Sequence, residues 1–115
     1  FKEALHYLRH NGVKTNKGIE KISEYAMIGS INALKTALVT NGPCIGGLLV
    51  YNEGSKFWDK TYSSECYGGH AICIVGYNEE GFIIRNSWGK YWGNGGHTIL
   101  PYGEFNNFME IWTIF

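Results

Sequence analysis

The chain is predicted to be α+β, with a helix first and then mostly antiparallel strands. Helical spacing marks its beginning, continuous apolar runs mark its second half, and tight-turn residues separate those runs. Its 115 residues fit one domain. A chain of this size buries roughly two thirds of its unfolded surface. With 44% hydrophobic and 16% aromatic residues, it is not a disordered chain. Ten basic residues balance ten acidic ones, which argues against a nucleic-acid footprint and against a polybasic membrane anchor. No apolar run reaches the ~18 residues of a transmembrane helix. The opening "FKEALHYLRH" has neither a Met nor a signal-peptide layout, so the chain reads as one that starts partway through something longer.

In chain order, "FKEALHYLRHNG" places Phe1, Ala4, Leu5 and Leu8 at helical spacing, with Gly12 as the stop. "VKTNKG" reads as a loop and "IEKISEYAMIG" as a strand. "SINALKTALVTNGP" is a helix with Ser30 as its N-cap. Ile31, Leu34, Ala37 and Leu38 form its apolar face, and Asn41-Gly42-Pro43 ends it. "CIGGLLVYN" is apolar on both faces, as a buried central strand is. "EGSKFWDKTYSSECYG" is a long loop, whose Phe57 and Trp58 could line a cleft but are rather expected to be pinned onto the core. "HAICIVGY", "NEEG" and "FIIRNSW" form a hairpin, "GKYWGNGG" is a glycine-rich loop, and "HTILPY" and "FMEIWTIF" are two more strands.

His70 and Asn86 fall on the two arms of that hairpin. Position 70 lies opposite roughly position 89, so the two side chains can approach one another across adjacent strands. An amide oxygen beside an imidazole accepts one ring N–H, fixes the tautomer and aims the other nitrogen. Trp88 can cover that bond and keep water out.

The stretch "GGHAICIVGYNEEGFIIRNSWGKYWGNGGHTILPY" resembles the His/Asn region of papain-like cysteine peptidases. The shared pattern is His-Ala, a strand ending Val-Gly-Tyr, a strand ending Asn-Ser-Trp-Gly, then Trp-Gly and a Gly-Gly pair. "SINALKTALVTNGPC" is similar to the helix and Gly-Pro preceding the first strand of the family's second lobe. "FKEALHYLRHNGV" resembles the helix and turn that follow the family's cysteine helix. The resemblance implies a β-rich antiparallel second lobe over 19–115, preceded by a remnant helix and loop of the first lobe over 1–18. It implies that His70 is the acid/base of a peptidase, that Asn86 orients it, and that Trp88 shields the contact. Trp92 matches a second tryptophan on the leaving-group side of the cleft. Gly69 and Ala71 match substrate-binding positions, although the family commonly has Asn or Asp where this chain has Gly69. A peptide or protein substrate, no cofactor, and a lysosomal, vacuolar or secreted location follow from the resemblance alone.

The nucleophile is the missing half. In papain-like enzymes a C-G-[SA]-C-[WY] signature precedes the His and Asn by about 130–150 residues. It should therefore lie roughly 60 or more residues before Phe1, and neither it nor the oxyanion-donating Gln occurs here. The three cysteines are Cys44, Cys66 and Cys73, an odd count without zinc spacing. Cys73 should point to the opposite strand face from His70, and all three read as buried or semi-buried small hydrophobes. The chain alone is thus expected to be inactive and to depend on a partner lobe carrying the cysteine. The alternative is a catalytically dead papain-like module that binds, inhibits or scaffolds. His6 and His10 share one helix face but lack a carboxylate motif, so a solvated face is expected and no metal. The Gly pairs and clusters match no phosphate-binding pattern.

Overall fold

The computed structural model of the chain describes residues 1–61, 63 and 65–115. Among them the order is α1 (Lys2–His10), β1 (Val13–Thr15), β2 (Gly18–Glu20), β3 (Tyr25–Met27), α2 (Ile31–Asn41), β4 (Cys44–Val50), β5 (Gly68–Tyr77), β6 (Gly81–Arg85), β7 (His97–Pro101), a 3-10 helix (Tyr102–Asn107) and β8 (Glu110–Ile114). Six strands form one antiparallel sheet in the order β3-β8-β4-β5-β6-β7. The α+β, β-rich architecture expected from the sequence is therefore present.

Alternation along β4 sends Cys44, Leu48 and Val50 to one face. There they meet Ile72 and Ile74 of β5, Phe82 and Ile84 of β6, Leu100 of β7 and Ile111 of β8 in one apolar core. Leu34 and Ala37 of α2 close that core, with Ile31 and Leu38 half-buried at its edge. Helix α2 begins as its cap predicts, because the Ser30 hydroxyl accepts the Ala33 N–H at 3.1 Å. In α1 only Leu5 is buried, since Ala4 faces solvent and Leu8 is half-buried. The helix stops at Asn11, and Gly12 follows in a left-handed conformation.

Two expectations fail locally. Residues 13–18 are not simply a loop: β1 and β2 pair as a small hairpin, with Val13 opposite Glu20. Most of its residues are exposed, so there is no apolar alternation for a sequence pattern to detect. The single strand expected over 19–29 is instead two short ones, because Ser23 and Glu24 turn to bond the Phe115 carbonyl. Tyr62 and Ser64 of the predicted long loop lie outside the described residues.

Two devices place the hairpin arms. The Asn78 side-chain oxygen accepts the N–H groups of Glu80 and Gly81 at 2.9 and 3.2 Å, closing the turn. A β-bulge at Val75 then shifts the β5–β6 register, so Ile74 opposes Ile84 whereas Gly76 opposes Ile83. Gly81 starts β6 so close to the Leu100 carbonyl that an added Cβ would stand 2.1 Å from its oxygen. Gly81→Ala should therefore lower the free energy of unfolding by about 1–3 kcal/mol through overpacking, read by urea denaturation.

Candidate active site

His70 pairs with Leu48 across the β4–β5 ladder, which aims its side chain along the core face beside Ile72. It has no partner on β6, because that strand ends at Arg85. Asn86 is the next residue, so it meets His70 from the end of a strand rather than across a ladder as expected. Its backbone N–H donates to the Gly96 carbonyl at 3.0 Å, which ties both ends of the glycine-rich loop together. That loop turns tightly enough to need Gly93 at φ 58, where a Cβ would strike the His97 carbonyl.

His70 Nε2 and Asn86 Oδ1 are 2.7 Å apart. The same oxygen accepts the Ser87 N–H at 2.8 Å, which identifies it as the amide oxygen rather than the nitrogen. Nε2 must then be the proton donor. Nδ1 has no hydrogen-bond partner among the described residues. Asn86 is 7% exposed, and its Nδ2 is buried without an acceptor among the described residues.

Aromatic rings surround the pair. Trp88 stacks on the imidazole with centroids 5.3 Å apart and planes at 22°. Trp92 meets Trp88 edge-on at 5.5 Å, and its indole N–H donates to the Glu53 carbonyl at 3.0 Å. The sequence did not mark Phe57 as part of this group, yet it packs at right angles to His70 with centroids 5.8 Å apart. Of the two places open to it, lining a cleft or pinned onto the core, the core was the expected one, and it is fully buried there. A lone loop aromatic carries no signal of which core side chain it will meet.

On the opposite face of β5, Gly69 and Ala71 are exposed. With Gly47 and Glu110 they line a recess of about 370 Å³ that reaches His70 from one side. Gly69 and His70 also border a second recess of about 530 Å³, walled by Trp88, Trp92, Glu53 and Tyr67. The imidazole thus stands on a ridge between two hollows. A larger hollow of about 620 Å³, between Ser55, Asn78 and His97, lies apart from this ridge.

The three sulfurs are dispersed. Cys44 is buried and Cys73 is half-buried, and burial raises the thiol pKa of both above 9.0. By strand alternation Cys73 lies on the opposite face from His70. Cys66 is exposed, contrary to the expectation that all three would be at least partly covered. It lies on the part of the loop that follows the core residues Phe57 and Trp58, and its sulfur accepts the Gly68 N–H at 3.4 Å. His6 and His10 are both exposed, with ring centroids 4.3 Å apart. Among the described residues no three His, Cys, Asp or Glu side chains are grouped as metal ligands.

The model of the papain family of cysteine proteases matches residues 3–111. An uncharacterized peptidase C1-like protein of Acanthamoeba polyphaga mimivirus is 35% identical over 98 residues, covering 73% of this chain and 31% of its own length. Cathepsin B-like cysteine proteinase 3 of Ostertagia ostertagi is 30% identical over 95 residues, covering 76% of this chain and 55% of its own. Among solved structures, xylellain, a cysteine protease from Xylella fastidiosa, superimposes with a TM-score of 0.64 at 31% identity. That superposition covers 83% of this chain and 40% of xylellain. A procathepsin B from Trypanosoma congolense shares the fold at 16% identity, with a TM-score of 0.71 over 96% of this chain and 51% of its own. The chain belongs to the papain family of cysteine proteases. It spans 31% and 55% of the lengths of the two relatives described.

The thiols separate chemically. The thiolate is the form that alkylates, so raised pKa values slow Cys44 and Cys73 near neutrality. Iodoacetamide at neutral pH should label Cys66 first and Cys44 last, as followed by peptide mass mapping. The same shifts carry a stability consequence. Below 9.0 each of these thiols is protonated in the folded and unfolded states alike; above it the unfolded state ionises first, so folding stability falls as pH rises beyond that value.

Proposed function

We propose that this chain supplies the acid/base half of a cysteine peptidase, and that the nucleophilic thiol comes from outside these 115 residues. The observation that carries the reading is the 2.7 Å bond from His70 Nε2 to Asn86 Oδ1, which leaves Nδ1 as the nitrogen available to a thiol. In this division residues 1–18 belong to the lobe that carries the cysteine, and 19–115 form the His/Asn lobe.

The chemistry follows from that geometry. A thiol brought to Nδ1 transfers its proton there, giving a thiolate and an imidazolium. The doubly protonated ring keeps its Nε2–H on Asn86, so the second proton is held only at Nδ1. Thiolate attack on a peptide carbonyl forms the carbon–sulfur bond. As the carbon–nitrogen bond breaks, the Nδ1 proton passes to the leaving amine. Water then attacks the thioester, giving its proton to Nδ1 and releasing the acid and the thiolate. The substrate is a peptide or protein. Gly69 and Ala71 offer main chain and small side chains to it, and Trp92 walls the side from which the amine departs.

In a protein that joins this chain to its cysteine-bearing lobe, His70→Ala should lower peptide hydrolysis by about 10²–10⁴-fold, and Asn86→Ala by less. The 115-residue chain alone should neither turn over a peptide nor carry a thiol whose reaction with an electrophile is accelerated by His70. Turnover by the isolated chain that disappears with His70→Ala would mean that one of its own cysteines serves.

A further inference from the structure

Phe57 sits in the segment between β4 and β5, yet its exposure is 0%. Its ring centroid lies 5.2 Å from Trp58, 5.3 Å from Trp88, 5.8 Å from His70 and 6.0 Å from Trp92. Among the described residues it is the one ring in contact with His70 and both tryptophans of the ridge. The other two contacts on His70 leave a motion open. The hydrogen bond at Nε2 fixes a point but permits the imidazole to swing about it. The parallel Trp88 face permits sliding in the ring plane. A third ring at 80° to the imidazole opposes both motions.

We propose that Phe57 is a positioning residue: it holds the His70 imidazole so that Nε2 stays on Asn86 and Nδ1 stays turned to the reacting side. The loop that carries Phe57 is built for that constraint. The Phe57 carbonyl accepts the Tyr51 N–H at 2.8 Å. The Asn52 amide donates to the carbonyls of Lys56 and Asp59, each at 3.1 Å. Next to Phe57, Trp58 is 3% exposed and donates its indole N–H to Glu104 Oε1 at 3.2 Å. Glu104 Oε2 also faces Lys56 Nζ at 3.4 Å. The indole bond is the stronger tie, because losing it leaves a buried donor unpaired. The ion pair is half-exposed and contributes little. Glu104, remote from His70 on the 3-10 helix, thereby acts on the imidazole through Trp58 and Phe57.

The kinetic consequence rests on the reading of His70 as the acid/base, but the ring geometry can be read without it. Ring nitrogen shifts of ¹⁵N-labelled histidine, recorded where the imidazole is neutral, report the tautomer. The protein should show His70 as the Nε2–H form alone. Phe57→Leu, which preserves burial but removes the ring, should move both shifts toward tautomer-averaged values. Glu104→Ala should move them the same way by less. In a protein complete with its thiol, Phe57→Leu should lower kcat about tenfold with KM unchanged, the pattern of a misaimed group. Unchanged ring shifts in folded Phe57→Leu would overturn the proposal. If that variant does not fold, unchanged shifts in Glu104→Ala would overturn it instead. Shifts that move in a protein without peptidase activity would count against the peptidase reading and leave Phe57 in its role.

Discussion

The amide oxygen of Asn86 holds the site together. It accepts two hydrogens at once, one from His70 and one from the Ser87 backbone. Turning the amide over would press its NH₂ against the Ser87 N–H, so the backbone settles the orientation and the orientation settles the imidazole tautomer. The fold carries a cost for this. Nδ2 is left buried and unpaired among the described residues, and such a donor costs about 1–3 kcal/mol. Folding stability by itself does not select this arrangement. A geometry that fixes one ring nitrogen and frees the other does.

The surroundings strengthen that bond by excluding water. Trp88 lies over the imidazole, Phe57 closes a second side, and the Ile72–Ile74 row continues beneath. A polar contact at the margin of an apolar core feels a lower dielectric than one in solvent. The other face of β5 is built in the opposite sense. Gly69 and Ala71 leave it low and open, with hollows on both sides of the imidazole. One strand therefore serves two surroundings, because its side chains alternate.

How much of this was legible in the sequence differs from residue to residue, for physical reasons. Helix α2 could be read because a hydroxyl cap, an apolar stripe and a Gly-Pro stop all agree. The pairing of His70 with Asn86 could be read because a short turn and the Asn-Ser-Trp-Gly motif constrain it together. The β1–β2 hairpin could not, because it is mostly exposed and held by backbone bonds that leave no apolar pattern. Phe57 was legible as an aromatic that would be buried, but not as a neighbour of His70. That contact joins a loop to a strand end through three dimensions, and no local spacing encodes it. The exposure of Cys66 was missed for the converse reason: composition assigns cysteine to the interior, whereas this one belongs to a loop.

The bulge at Val75 bears on how the chain tolerates change in length. Before it, the even-numbered residues His70, Ile72 and Ile74 face the core; after it, Tyr77 opposes the core residue Phe82. The bulge thus inverts the parity of the strand between the turn and the imidazole. With Val75 deleted, Ile74, Gly76 and Tyr77 would become consecutive and would keep their partners Ile84, Ile83 and Phe82, so alternation would run unbroken from the turn to His70. The strand can therefore lose its bulged residue without turning His70 from its face, so length at this point is less constrained than the identity of the histidine itself.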